Sequence, residues 1–273
     1  MHNKPHNLYA INTNFYWIEL GGMQNSIEDT ESVRDELLKI AYGVWDHMKN
    51  HGDHGAECWE LEWVGFLPGK RESRRYIGDH VLTQQEVENT PYFEDTVAYG
   101  GWQIDNHLPG GFYMDAKGGN HLQKRRLSEP YCIPLRSLYS KNIENLLFAG
   151  RNISASHIAF SSTRVMGTIG VIGQAVGTTA AICVRYGLTP REAAREKIGE
   201  IQKQLMDDDC FLPGFKREVS ELTKRAVLCA DYGDARALLN GIDRRIFGND
   251  NGYFGKTNKA ITYTFDSPTR ISG

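Results

Sequence analysis

The sequence predicts an α/β protein of mixed helices and strands. Three observations carry that reading. A short apolar run, Asn145–Ala149, ends on Gly150-Arg151 and leads through a Ser-rich loop, 152–162, into a long helix. That helix, Thr163–Tyr186, carries glycines at 167, 170, 173 and 177. Upstream, helical periodicity over 27–49 alternates with short strand-like runs. A buried strand, a glycine turn and a helix start made for close backbone approach are the parts of a cofactor cradle.

Taken in chain order, Asn14–Leu20 reads as a strand with Phe15, Trp17 and Leu20 apolar. Ile27–Lys49 reads as an amphipathic helix, because Val33, Leu37, Ile40, Ala41 and Val44 recur at helical spacing. Residues 51–58 form a loop rich in His and Gly, and Leu61–Phe66 is a strand candidate. Arg71–Arg75 is charged, and Thr83–Glu88 is a short capped helix. Val97–Ile104 is another strand, and 105–130 reads as long, polar and irregular, the kind of loop that often carries function. Ile133–Tyr139 and Asn145–Ala149 are strand candidates before the long helix. Ser161, Ser162 and Thr163 offer N-caps to that helix, and Gly187 offers its stop. Thr189-Pro190-Arg191-Glu192 opens the next helix, to Asp207, with an N-cap, Pro in the first turn and Glu three positions on. Ala260–Phe265 alternates as a strand.

Four glycines inside one helix cost roughly 3–4 kcal/mol against alanine. Their spacing of 3, 3 and 4 puts them on one side. Close approach of another backbone or of a flat ligand would offset that cost. Val165, Ile169, Ile172 and Val176 form the side expected to pack into a core. A membrane span fits poorly, since Arg164 and Arg185 bracket a stretch rich in Gly, Thr and Gln rather than Leu.

Composition narrows the classes. With 40% hydrophobic and 11% aromatic residues over 273 positions, the chain can bury one or two cores. A net charge of −3 and a pI near 6.3 imply no general attraction to nucleic acid or to membrane surfaces. Cys58, Cys132, Cys183, Cys210 and Cys229 are odd in number and far apart. That spacing argues against a disulfide framework, a zinc site, a closely ligated iron–sulfur cluster and a redox disulfide.

YCIPLRSLYSKNIENLLFAGRNIS, followed by SSTRVMGTIGVIGQAVGTTAAICV, resembles the C-terminal half of the FAD-dependent oxidoreductases found widely in bacteria. These are glutathione-reductase-type flavoproteins, distantly similar to the flavin subunit of heterodisulfide reductase. FYWIELGG, RDELLKIAYGVWDHMKN, PGKRESRRYIGDHVLTQQEV and GGWQIDNHLPGG resemble the family's substrate-domain segments, so the resemblance spans about residues 8–215. It implies FAD as cofactor and a small-molecule substrate. It implies a partial substrate domain over 1–130 and the C-terminal strand–helix part of a Rossmann-like FAD domain over 131–215. Residues 216–273 would form a linker and the start of a galactose-binding-like jelly roll, which hints at a carbohydrate or glycoside.

By position, Gly150 and Arg151 would approach the ribityl–pyrophosphate part of FAD, and Ser156 and His157 the flavin ring. Thr163, Gly167, Thr168 and Gly170 would bring a positive helix end to the pyrimidine edge of the flavin. The family's G-x-G-x-x-G turn has no counterpart, because no two glycines here are separated by one residue. The expectation is therefore a piece of a longer gene, inactive alone, or a subunit whose partner supplies the nucleotide-binding half. A carbohydrate-binding scaffold or non-catalytic subunit without cofactor is the alternative.

His107 is the candidate base for oxidation by hydride transfer, with Asp105 placed to orient it. The bland alternative is a surface histidine paired with Asp105. Arg71 and Arg74, with Arg75 and Glu72, could clamp an anionic or hydroxyl-rich substrate or form structural ion pairs. Trp102, like Trp17, Trp59 and Trp63, could stack on a sugar or belong to the core. His51, Asp53 and His54 invite a metal, but a His-containing Gly loop is usually just a loop, and no metal is expected.

Overall fold

The computed structural model describes residues 18–51, 54–244, 253 and 255–271. Trp17, Asp53 and the first part of the Asn14–Leu20 strand lie outside the described residues. The architecture is a mixture of helices and small antiparallel sheets. The chain forms two compact units: Met1–Arg74 with Ile104–Arg125, and Arg75–Gln103 with Arg126–Gly273.

In the first unit, α1 (Thr30–Asn50) follows the predicted helix closely. Ile40, Val44 and Met48 form its buried stripe, packed with Ile18, Leu20, Trp45 and Phe112. The predicted irregular stretch after residue 105 is in fact ordered. Strand β2 (Ile104–His107) pairs antiparallel with β3 (Leu122–Arg125), and α3 (Gly111–Ala116) lies between them in sequence. Two four-residue strands reading IDNH and LQKR are too short and polar to signal a sheet by alternation. The described end of the expected Asn14–Leu20 strand, Ile18–Leu20, is not in a strand, nor is Leu61–Phe66, and Trp63 is largely exposed.

The second unit is built around β1 (Thr96–Gly100), which pairs antiparallel with β4 (Tyr131–Pro134). The predicted strand Val97–Ile104 thus ends at Gly100, and Ile133–Tyr139 turns into a 3₁₀ turn after Pro134. Tyr131 lies across from Gly100, where a Cβ would come within 2.3 Å of its hydroxyl oxygen. Helix α2 (Gln84–Asn89) starts on a Thr83–Glu86 capping box, as the sequence implies.

The single helix expected over Thr163–Tyr186 is two helices. The first, α4 (His157–Thr163), is capped by Ser156; Val165 is extended, and α5 (Met166–Tyr186) follows. Ser161, Ser162 and Thr163 are therefore not caps but the buried last turn of α4. Ser162 Oγ donates to the Trp102 carbonyl and lies 2.8 Å from the Tyr131 hydroxyl. Gly187 ends α5 in the left-handed conformation at φ 64°, as placed from sequence. The buried stripe of α5 is Thr168, Ile172, Ala175, Thr179 and Ile182. Of the four residues expected to form that face, Ile172 alone is fully buried. This stripe packs on β1 and on α7 (Ile198–Asp207). By length and composition alone α5 could cross a membrane, a test that core helices of folded proteins also pass.

The helix expected over Thr189–Asp207 breaks at Lys197 into α6 (Pro190–Glu196) and α7, and α6 begins with the predicted capping box and proline. Arg191 on α6 grips Asp79 with two hydrogen bonds of 2.6 and 2.7 Å, and Tyr139 donates to the same carboxylate. Burial, then the Asp79 contact, pushes the Tyr139 hydroxyl up to about 12. Farther on lie α8 (Glu221–Arg225) and an antiparallel pair, β5 (Val227–Ala230) with β6 (Ile261–Thr264). The latter is the strand predicted over Ala260–Phe265, and it is exposed along its length.

Candidate active site

In the first unit, a charged cluster forms around Glu19. Its backbone is fixed first: the Phe112 amide donates to the Glu19 carbonyl at 2.9 Å. Gly111 sits at φ 49°, where a Cβ would come within 2.2 Å of that carbonyl oxygen. Only glycine allows this approach. Glu19 then aims both carboxylate oxygens inward. Oε1 accepts from Arg71 at 2.7 Å, and Oε2 lies 2.5 Å from His107 Nδ1.

His107 ends β2, and its ring is largely sheltered. Arg71 Nη1 lies 3.0 and 3.2 Å from its two ring nitrogens, so the guanidinium meets the ring broadly rather than one lone pair. Asp105 is the more distant carboxylate, 3.4 Å from His107 Nε2, with Lys124 4.0 Å away on its other oxygen. Glu19, 88 residues away in sequence, is the nearer partner. Burial alone would raise the Glu19 carboxyl, but the His107 hydrogen bond and the charges of His107, Arg71 and His121 together hold it below its usual value.

His121 completes the cluster and is fully buried. Its amide donates to Asp115 Oδ1 at 2.9 Å, and its Nδ1 lies 2.7 Å from Asp115 Oδ2. Its Nε2 makes no hydrogen bond and faces Glu19 Oε2 at 3.5 Å. Glu19, His107 and His121 each offer a ligand atom within 4.8 Å of the others, as a metal site would. The fixed charge of Arg71, 3.2 Å or less from both His107 nitrogens, opposes a cation there. In the Gly-rich loop, His54 Nε2 contacts His47 Nε2 at 3.2 Å and His51 contacts Asp46 at 3.2 Å.

Arg74 remains exposed, whereas Arg71 is committed to Glu19 and His107. Trp102 belongs to the second unit and is 46% exposed. Asn145–Ala149 is not a regular strand; Leu147 makes an isolated bridge to Tyr139.

The loop from Gly150 to Ser156 is held from two sides within the second unit. Tyr76 and Leu82 amides donate to the Asn152 and Ser154 carbonyls, and Ser154 donates back to Ser137. Gly78 fits here because a Cβ would come within 2.4 Å of the Arg136 carbonyl oxygen. Gly150 has φ 129°, a conformation closed to ordinary side chains. Arg151 is exposed at the turn. His157 begins α4, and desolvation followed by the charge of Arg75 lowers its pKa. Thr163 is buried at the end of α4, and Thr168 on the packed side of α5. Gly167, Gly170, Gly173 and Gly177 are exposed, and a Cβ at any of them would meet nothing within 4 Å. The start of α5 has no side-chain cap, so the first-turn amides carry the positive helix end.

The family model described as FAD dependent oxidoreductase matches residues 1–205. The chain belongs to the FAD-dependent oxidoreductase family. Its cofactor is FAD and its chemistry is flavin redox on a small molecule. No curated protein and no solved structure matches the chain. Among the described residues, the second unit offers such a group the uncapped start of α5, exposed glycines on that helix and a glycine turn at φ 129°.

Sequence reasoning picked out His107, Asp105 and Arg71, and missed Glu19, Asp115 and His121. Glu19 stands in the FYWIELGG segment, and Gly110-Gly111 was visible too. Nothing local in the sequence says that Gly111 packs on Glu19.

Proposed function

We propose that this protein oxidises a substrate C–H bond next to oxygen or nitrogen, passing hydride to FAD, with a carbohydrate or glycoside as the substrate class. FAD supplies the hydride acceptor. Gly150 and Arg151 would face its ribityl–pyrophosphate part, and Ser156 and His157 its ring. Thr163, Gly167, Thr168 and Gly170 would line the pyrimidine edge, where the positive end of α5 favours negative charge. The division at residues 130 and 215, the Rossmann-like strand–helix segment and the jelly-roll start at β5 and β6 belong to the same proposal.

The observation that carries the chemistry is the 2.5 Å contact between His107 Nδ1 and Glu19 Oε2. With its Nδ1–H donated in a hydrogen bond to a carboxylate, His107 keeps Nε2 as a proton acceptor. Asp105, 3.4 Å from Nε2, would hold the ring once that nitrogen has taken up the proton. Arg71 stabilises the carboxylate and, with Arg74, would meet oxygens of the substrate; Trp102 is the residue proposed for a sugar's ring face.

Two measurements test this reading. His107→Ala in the FAD-loaded full chain is expected to slow flavin reduction roughly 100-fold or more; a normal rate removes His107 from the mechanism. A chain that stays colourless and leaves flavin fluorescence unchanged on titration favours the non-catalytic scaffold instead.

A further inference from the structure

We propose that His121 is a second proton station, coupled to His107 through Glu19, so that a proton taken up at His107 is passed inward to His121. Only the source of the proton rests on the function proposed above. The geometry comes from three elements: β2 carries His107, α3 carries Asp115, and His121 immediately precedes β3. Glu19 Oε2 is the shared atom, 2.5 Å from His107 Nδ1 and 3.5 Å from His121 Nε2.

The tautomer of His121 is set by its partner. Nδ1–H donates a hydrogen bond to Asp115, which leaves Nε2 as a bare lone pair in the neutral ring. That lone pair is buried, has no hydrogen bond and faces a carboxylate oxygen. Two acceptors facing each other out of water are unfavourable, and a proton on Nε2 turns the contact into a charge-assisted hydrogen bond. His121 would then hold one carboxylate with each nitrogen. The groups facing it are Asp115, Glu19 and the His107 ring, whose centroid lies 5.8 Å away. Arg71 and Asp105 act at one remove, through Glu19 and His107.

The transfer balances without any further reactant. His107 Nε2 forms a bond to the substrate hydroxyl proton as the O–H bond breaks. The proton on His107 Nδ1 moves to Glu19 Oε2, and a proton passes from that oxygen to His121 Nε2. His107 ends neutral with its proton on Nε2, Glu19 ends as the carboxylate, and His121 ends as the imidazolium. The positive charge is thereby moved away from the substrate, between two carboxylates.

The test is a pH titration of the imidazole nitrogens by NMR in the full chain labelled with nitrogen-15 at histidine, with His107→Gln and His121→Gln as assignments. Coupled sites show two steps at shared midpoints. We expect that pattern for both rings. In His107→Gln, the two-step His121 curve should become a single step, because its coupled partner is gone. A single His121 step that His107→Gln leaves in place would make it a structural partner of Asp115 and overturn the proposal. If a variant does not fold, the wild-type curves alone decide, by shared or separate midpoints. Coupled titration with normal flavin reduction in His107→Ala would remove the proposed function and keep the proton pair. Uncoupled titration with slow reduction would do the reverse.

Discussion

The cluster around Glu19 and the glycine face of α5 treat polar groups in opposite ways. In the first, three carboxylates, two imidazoles and a guanidinium hold one another within a few ångströms, and His121 Nε2 is buried there without a hydrogen bond. In the second, a helix start is left uncapped and four glycines face open space. Under the proposals above, the paired cluster would move protons among groups that are already in place. Under the proposed function, the open helix face would receive the flavin beside its first-turn amides. The lesson is that a site can be recognised by what is saturated as well as by what is left vacant.

The two sides of α5 break or sharpen that comparison most strongly. Ile172 is fully buried in the stripe facing β1, so Ile172→Ala should cost roughly 2–4 kcal/mol in chemical denaturation. A loss below about 1 kcal/mol would mean that α5 is not seated as described. Gly111→Ala comes next. Its φ of 49° and the Glu19 carbonyl 2.2 Å from a Cβ make the change strained, and about 1–3 kcal/mol should be lost. Unchanged stability would show that Gly111 does not pack on the Glu19 carbonyl. One residue from Ile172 on α5, Gly173→Ala should stabilise by about 0.5–1 kcal/mol, since its Cβ meets nothing within 4 Å. Destabilisation there would show the face to be occupied.

The smallest effect concerns pH. The Glu19 carboxyl is depressed below its ordinary 4.5 in the folded chain, so its contribution is complete above that value. It is lost as pH falls through the lower folded value. The stability gap between the wild-type chain and Glu19→Gln should therefore be largest near neutrality and should close in acid. A gap that grows in acid would contradict the assigned sign.

Features written in a few neighbouring residues were legible in the sequence. The stripe of α1, the Thr83–Glu86 and Thr189–Glu192 capping boxes, Pro190 and the Gly187 stop all formed as expected. What was not legible depends on distant partners. The helix break at Arg164-Val165 has no Pro or Gly to announce it; there Val165 turns extended while Ser162 bonds back to Trp102. The β2–β3 pair is short and polar, so its signal came from tertiary pairing rather than from alternation. His107 was found by residue type, but its nearer partner lies 88 positions away, and His121 gained meaning only once Asp115 fixed its tautomer.

The central claim is that the open start of α5 receives the flavin. The direct measurement is FAD binding by flavin fluorescence in the full chain and in Gly170→Leu, with helix content checked by circular dichroism. Gly170 meets nothing within 4 Å, so leucine should leave the helix intact. The account predicts binding to the wild-type chain and its loss, by at least about tenfold, in the variant. Equal binding by both proteins would place the cofactor elsewhere.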